Sequence, residues 1–253
     1  MKGVVLAGGL GTRLLPLTRI TNKHLLPVFD RPMIFYPIQT LINAGITDIL
    51  LVTGGPHAGD FLRLLGDGRE FGLKRLNYTY QEGEGGIPAA LALAEHFADG
   101  ERLCVILGDN LIEGSVAPAV ERFGRQPAGA RLVLAEAPDA ERFGVADVQD
   151  GRIVSIEEKP ARPKSRYAVT GIYLYDARVF DVIRTLRPSA RGELEITDVN
   201  NWYLARGELA CEIIEGWWTD AGTFDSLHRA GNLVAQTGAN LTDGPATREP
   251  GSP

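Results

Sequence analysis

Cysteine, methionine and histidine are scarce, at two, two and four residues in 253. Two cysteines cannot build the disulfide framework of a small secreted scaffold. Cys104 and Cys211 lie in apolar runs, RLCVIL and LACEII, which predicts buried, reduced thiols rather than a bridge or a nucleophile. The histidines are dispersed: His57, with Asp60 nearby but no further ligand, His96 and His228 read as surface-helix residues. His24 adjoins Lys23 and could touch a phosphate, with nothing else in the sequence to support that role. A basic excess is missing too, since 26 Lys and Arg face 32 Asp and Glu for a net charge of −6. That excludes a field able to hold a nucleic-acid backbone non-specifically. No segment is apolar for the roughly 20 residues a membrane span requires. Met1-Lys2-Gly3 enters a strand at once, without the pattern of a signal peptide. The expected partners are therefore neither nucleic acid nor membrane, and the expected location is the cytoplasm.

What is present begins with the first turn. The apolar run Val4-Val5-Leu6-Ala7 breaks into Gly8-Gly9-Leu10-Gly11-Thr12-Arg13, and Lys23 follows inside an otherwise apolar segment. Glycines directly after a buried strand let successive N–H groups close around an anion. A short helical turn starting near Thr12 adds unsatisfied N–H donors, and Arg13 and Lys23 add full positive charge. A Gly-rich turn alone is also common as plain structure. Two familiar phosphate loops are excluded: a dinucleotide fingerprint requires glycine where Leu14 stands, and a P-loop requires Gly-Lys-Ser/Thr where the chain has Gly11-Thr12-Arg13.

Further along, PMIFYPIQTLINAG has helical spacing, with Pro32 near its start and Gly45 past its end. Residues 48–53 then form a continuous apolar run that predicts a buried parallel strand. The resulting β-α-β unit puts the glycine loop at the carboxyl end of strand one, where open α/β sheets gather ligands. HAGDFLRLLGDG reads as an amphipathic helix closed by Gly66 or Gly68. A second strand-loop-helix unit ends its strand at Gln81 and starts its helix near Ile87. A third strand, Leu103–Leu107, runs into Gly108-Asp109-Asn110; a carboxylate in that position suits a hard cation, with a turn or helix cap as the plain alternative. The middle third is strand-rich, with a hairpin at Asp150-Gly151. A helix over 196–205 packs Ile196, Val199, Trp202 and Tyr203 as core, and Trp217 and Trp218 also read as core.

GGLGTRLLPLT followed by NKHLLPVFDRPMIFYPI resembles the signature of the nucleotidyltransferases that make nucleoside-diphosphate sugars, most closely the glucose-1-phosphate thymidylyltransferases. The likeness extends from Met1 to about Val234. It implies an α/β three-layer sandwich with a mixed, mostly parallel central sheet and a β-rich sugar-binding lobe. It implies one domain over 1–235, with a nucleotide core mainly at 1–125 and a sugar-phosphate lobe mainly at 126–220. The implied reaction joins dTTP, or UTP, to glucose 1-phosphate with release of pyrophosphate, with Mg²⁺ as cofactor. By motif match, Leu6, Gly8, Gly9, Gly11, Thr12, Arg13, Gln81, Gly86 and Asp109 would hold the nucleotide. Asn110, Gly144, Glu158, Lys159, Val169 and Arg191 would hold the sugar phosphate, Asp109 and Asp220 would hold the metal, and Arg13 and Lys23 would be catalytic. The chain departs from the pattern at Pro88-Ala89-Ala90, where a polar residue is usual, and at Phe143, where many relatives carry tyrosine. Longer relatives continue into helices that complete a regulatory site; here QTGANLTDGPATREPGSP follows, whose composition predicts a disordered tail over 236–253. A homo-oligomer is compatible with the sequence, and a catalytically silent sugar-nucleotide sensor is the rival of another class.

Overall fold

The computed structural model describes residues 1–240. In chain order the strands are β1 (Lys2–Ala7), β2 (Pro27–Val28), β3 (Arg31–Pro32), β4 (Asp48–Gly54), β5 (Arg75–Gln81), β6 (Leu103–Leu107), β7 (Asn110–Ile112), β8 (Ala130–Glu136), β9 (Gly144–Gln149), β10 (Arg152–Glu158), β11 (Tyr167–Tyr175), β12 (Leu209–Ile213) and β13 (Trp218–Asp220). The helices are α1 (Phe35–Asn43), α2 (Ala58–Leu65), α3 (Gly86–Ala92), α4 (Glu95–Ala98), α5 (Ala117–Arg125), α6 (Val179–Thr185), α7 (Ile196–Leu204) and α8 (Phe224–Thr237).

A nine-stranded sheet carries the order β10-β9-β11-β6-β1-β4-β5, with β8 on β11 and β12 on β8. All but β10 and β11 run in the same direction, so the sheet is mixed and mostly parallel. The central strands are apolar on both sides because both faces are covered. Val4, Leu6, Leu50 and Val52 face one core, which includes residues of α3, α6 and α7. Val5, Ala7, Ile49 and Leu51 face the other, with residues of α1, α2 and α5. Strand order reverses at β1, whose neighbours are β4 and β6. This switch point lies beside the loops that follow β1 and β6, and at such points open α/β sheets form ligand crevices.

Several expectations change in detail. The strands of the middle third, read from the sequence as a β-rich lobe, extend the central sheet through the β11–β6 pairing. Pro32 lies in the two-residue strand β3 and α1 starts at Phe35, because the chain first makes the β2–β3 ladder. Gly45 does end that helix, at φ +78°. Asp150 and Gly151 form the expected hairpin turn, both at positive φ. Cys104 is fully buried and its thiol is pushed up to about 12 by that burial. Cys211 is only half-buried, because among the described residues its strand β12 pairs with β8 alone, at the edge of the sheet. Of the expected tail, Gln236 and Thr237 close α8, and 241–253 lie outside the described residues.

Candidate active site

The glycine loop is held by contacts that only glycine permits. A Cβ on Gly8 would lie 2.6 Å from Gln81 Oε1, so the Gln81 amide crosses directly over the loop. Gly9 and Gly11 take φ of +88° and +64°, and the chain then winds into a 3₁₀ turn over Thr12–Leu14 whose Leu14 is buried. Thr18 Oγ1 donates to the Gly11 carbonyl at 2.8 Å, and Leu10 N–H donates to Glu84 Oε1 at 3.2 Å, tying the loop to its own exit and to the β5–α3 loop. Gly86, at φ +85°, leaves room for the Leu194 carbonyl, with which a Cβ would collide.

Another 3₁₀ turn, Lys23–Leu25, presents Lys23 and is capped by Asn22, whose Oδ1 accepts from His24 N–H at 3.0 Å. His24 is buried beneath the site and borders the first cavity. Its Nδ1 lies 2.8 Å from Asn22 Oδ1, and its ring packs so closely under the β6–β7 turn that a Cβ on Gly108 would sit 2.7 Å from Cδ2. Burial, reinforced by the Lys23 charge, lowers its pKa from 6.5 to about 3. A depressed histidine pKa makes folding release a proton. Its contribution to stability is therefore fully present above pH 6.5 and is lost as pH falls from there towards 3. Thermal unfolding should show the loss beginning below pH 6.5, and a His24→Gln variant should lose that part of the slope; an unchanged slope would refute a neutral buried imidazole.

Two carboxylates meet although 110 positions separate them in sequence. The β7–β13 ladder pairs Asn110 with Asp220, and Ala221 N–H donates to the Asp109 carbonyl at 2.8 Å. A Cβ on Gly222 would lie 3.0 Å from Arg13 Nη2, 3.3 Å from Asp220 Oδ2 and 3.4 Å from Asp109 Oδ2, so both carboxylates and the Arg13 guanidinium converge around one point. Lys23 Nζ reaches Asp109 Oδ2 at 2.6 Å. Burial acts to raise the Asp109 carboxyl, but the Lys23 charge and the hydrogen bonds from Lys23 and Asn110 hold it well below the usual range. Burial and the Asp109 charge raise Asp220 against the opposing pull of Arg142 and Arg13. Asp220 Oδ1 is buried without a hydrogen bond, with Arg142 Nη2 3.6 Å away. An orphaned carboxylate oxygen beside two convergent ones fits a hard divalent cation. Among the described residues no group of three or more His, Cys, Asp or Glu assembles. Two protein ligands leave the other coordination positions to phosphate oxygens or water.

Two cavities adjoin this point. One, of about 300 Å³, is lined by Leu6, Gly8, Gly9, Lys23, Gln81 and Gly86 among others. The other, of about 240 Å³, is lined by Asn110, Gly144, Glu158, Lys159, Val169 and Asp220 among others. Both include Arg13, Ile87, Leu107 and Asp109 in their walls. The second cavity follows from sheet register: β9 and β10 pair Gly144 with Glu158, and β11 joins them at Val145 and Ala168. Glu158 Oε2 accepts from Thr197 Oγ1 at 2.6 Å, which fixes the carboxylate.

Three expected residues lie outside both linings. Gly11 and Thr12 shape the loop behind its mouth. Arg191 is exposed and paired with Glu195 at 2.7 Å, with Glu158 3.9 Å away. Sequence reading missed two neighbours of the site. Arg142 stands beside Asp220 and lines the second cavity; its signal was a basic residue in the turn just before Phe143 and Gly144. Trp218 packs against the apolar clusters as expected and also lines that cavity; the signal for the second place was the two-residue strand spacing from Asp220, which puts both on one side.

The chain matches a family model described as nucleotidyl transferase over residues 2–237. It is 46% identical over 245 residues to a glucose-1-phosphate thymidylyltransferase of Neisseria meningitidis, covering 95% of this chain and 84% of that one. It is 47% identical over 238 residues to a glucose-1-phosphate thymidylyltransferase of Actinoplanes sp., covering 92% and 78%. A crystal structure from Bacillus anthracis, provisionally assigned as a glucose-1-phosphate thymidylyltransferase and complexed with a sucrose, superposes with a TM-score of 0.89 at 54% identity over 93% and 96% of the two chains. A UDP-glucose pyrophosphorylase complexed with UDP-glucose shares the fold, at a TM-score of 0.81 and 24% identity over 93% and 98%.

Proposed function

Because the chain belongs to the nucleotidyl transferase family, in its glucose-1-phosphate thymidylyltransferase branch, we propose that it joins dTTP to glucose 1-phosphate, giving dTDP-glucose and pyrophosphate. The observation that carries this reading is the seam between the two cavities. A transfer from one substrate to another needs two pockets that meet at the reacting atoms, and here Arg13 and Asp109 stand at the junction.

The first cavity takes the nucleotide. The pyrimidine sits against Leu6 and pairs with the Gln81 amide and the Gly86 backbone, which together offer both a donor and an acceptor. The triphosphate follows the Gly8–Arg13 loop, whose N–H groups face the anion. The second cavity takes the sugar phosphate, with hydroxyls at Glu158 and at the Gly144 and Val169 backbones. Lys159 lies on the cavity wall and holds the attacking phosphate; Arg191 joins it by leaving Glu195. Asn110 stands at the inner end of this cavity.

The sugar-phosphate oxygen attacks the α-phosphorus, the bond to the β-phosphate breaks, and pyrophosphate leaves on the opposite side. The nucleophile is already an anion, so no general base is required. The barrier is charge and alignment, which Arg13 and Lys23 address by neutralising the α-phosphate and the departing pyrophosphate. A divalent cation, Mg²⁺ in this reading, would sit on Asp109 and Asp220 and supply Lewis-acid stabilisation of phosphate charge. A reaction that draws on a nucleoside triphosphate fits the cytoplasm. Among the described residues, no helix is long and apolar enough to cross a membrane.

The test is Mg²⁺-dependent pyrophosphate release from glucose 1-phosphate, with dTTP and UTP separately and in competition. dTTP should support release and win the competition. The methyl that separates the two is worth only about 1–3 kcal/mol in a pocket, so UTP should also react, more slowly. No release with dTTP from folded protein would overturn the reading.

A further inference from the structure

Asn110 is more than a wall of the sugar cavity. Its Oδ1 accepts two hydrogen bonds, from Trp218 Nε1–H at 2.7 Å and from Gly171 N–H at 3.0 Å. Both partners are obligate donors, so the oxygen must face them and the amide orientation is fixed. The amide nitrogen is thereby turned to Asp109, where Nδ2 donates to Oδ1 at 3.1 Å. That assigns the two Asp109 oxygens different tasks. Oδ1 is held by Asn110, and Oδ2 is left facing Lys23, Arg13 and the Asp220 carboxylate.

The surroundings are built for this arrangement. Gly171 admits the amide, since a Cβ there would lie 2.6 Å from Asn110 Nδ2. Asn110 itself is 2% exposed, so water does not compete for its bonds. The Trp218 ring is set edge-on to Phe143, with centroids 4.8 Å apart and planes at 68°. The β7–β13 ladder fixes the backbone beneath, with Trp218 opposite Ile112 and Asp220 opposite Asn110. A chain of two hydrogen bonds thus runs from the wall of the sugar cavity to the carboxylate at the seam.

We propose that Trp218 is a positioning residue for the transfer: its indole N–H, acting through Asn110, fixes the rotamer of Asp109 that leaves Oδ2 as the oxygen that would hold a divalent cation. The inference rests on the assignment of Asp109 as a metal ligand. It separates two roles of Trp218, since a tryptophan that only shaped the sugar cavity would affect the sugar phosphate alone.

Calorimetry without any sugar phosphate distinguishes them. The affinity for dTTP is measured in EDTA and again with saturating Mn²⁺, and the ratio of the two dissociation constants isolates the contribution of the metal. Trp218→Phe keeps an aromatic ring and removes the donor. The ratio should shrink about three- to tenfold, the range for loss of one net hydrogen bond, while the metal-free affinity stays unchanged. Asn110→Ala should shrink it at least as much, and the double variant should add little beyond Asn110→Ala, because the relay passes through that residue. In turnover, kcat should fall along with the ratio. A ratio in Trp218→Phe equal to wild type, with only the KM for glucose 1-phosphate altered, would overturn the relay, as would full additivity in the double variant. Asp109→Asn is the control for the premise. A metal contribution as large as in wild type would remove the Asp109 assignment and the relay with it, whereas its loss in Asp109→Asn but not in Trp218→Phe would remove the relay alone.

Discussion

Arg13→Ala is expected to lower kcat by about 10²-fold or more without unfolding the protein, as happens when a preorganised donor to transition-state charge is deleted. The structure separates the two effects unusually well. Arg13 is exposed and, among the described residues, makes no hydrogen bond or ion pair with the protein, so its removal costs only its longer-range pull on the Asp220 carboxylate. The thermal midpoint should stay close to wild type, as for surface changes that keep within about 0.5 kcal/mol. Its guanidinium nevertheless borders both cavities and points at the space before Gly222 where the two carboxylates converge. Charge on the α-phosphate and the leaving pyrophosphate grows along the reaction coordinate, so the loss should appear in kcat and in kcat/KM together. Arg13→Lys retains the charge and loses the planar fork, and should recover only part of the rate. Steady-state pyrophosphate release decides the point. A kcat for Arg13→Ala within a few-fold of wild type would end its catalytic role.

The parts of this site that could be read in the sequence are those fixed locally. The glycine loop needs positive φ at Gly9 and Gly11 immediately after a buried strand, and composition alone announces such a turn. Asp109 stands one residue past an apolar five-residue strand, so its place at the sheet edge is also a local property. What escaped was set by pairings across long stretches of chain. Asp220 reaches Asp109 only because β13 lies on β7, a ladder between two three-residue strands that no periodicity announces. Its role had to be taken from family resemblance, and the geometry now places the carboxylate where such a role can be tested. Arg142 was missed because a basic residue in a turn looks solvated until its neighbour from β13 is known. Trp218 reads as core because an apolar ring beside another tryptophan is usually packing; its N–H has a functional target only in the fold, where Asn110 faces it. Pro32 misled for the opposite reason: proline suits the first turn of a helix, but here the β2–β3 ladder claims it before α1 starts.

Asp109→Asn tests the centre of the site with an effect of similar size. Asparagine keeps the shape and can still accept from Asn110, but it removes the charge that a cation requires. Turnover should fall by about 10²–10³-fold, the scale for losing one element of transition-state charge stabilisation, and raising the metal concentration should not restore it. Stability should fall as well. Lys23, with its side chain only 15% exposed, loses the carboxylate it meets at 2.6 Å, and removing one partner of a buried pair costs up to about 3–5 kcal/mol. Two features offset part of that cost. Asp220 no longer faces a second carboxylate, so one cause of its raised pKa disappears. Lys23 also keeps enough access to solvent to reorient, which places the expected loss below the range for a fully enclosed ion. Added dTTP should then stabilise the variant, because triphosphate oxygens give Lys23 the negative partner it has lost, and binding to the folded state raises the unfolding midpoint by mass action. A folded Asp109→Asn protein that releases pyrophosphate at the wild-type rate in low Mg²⁺ would mean that the cation is held elsewhere and that the Lys23–Asp109 pair serves the fold alone.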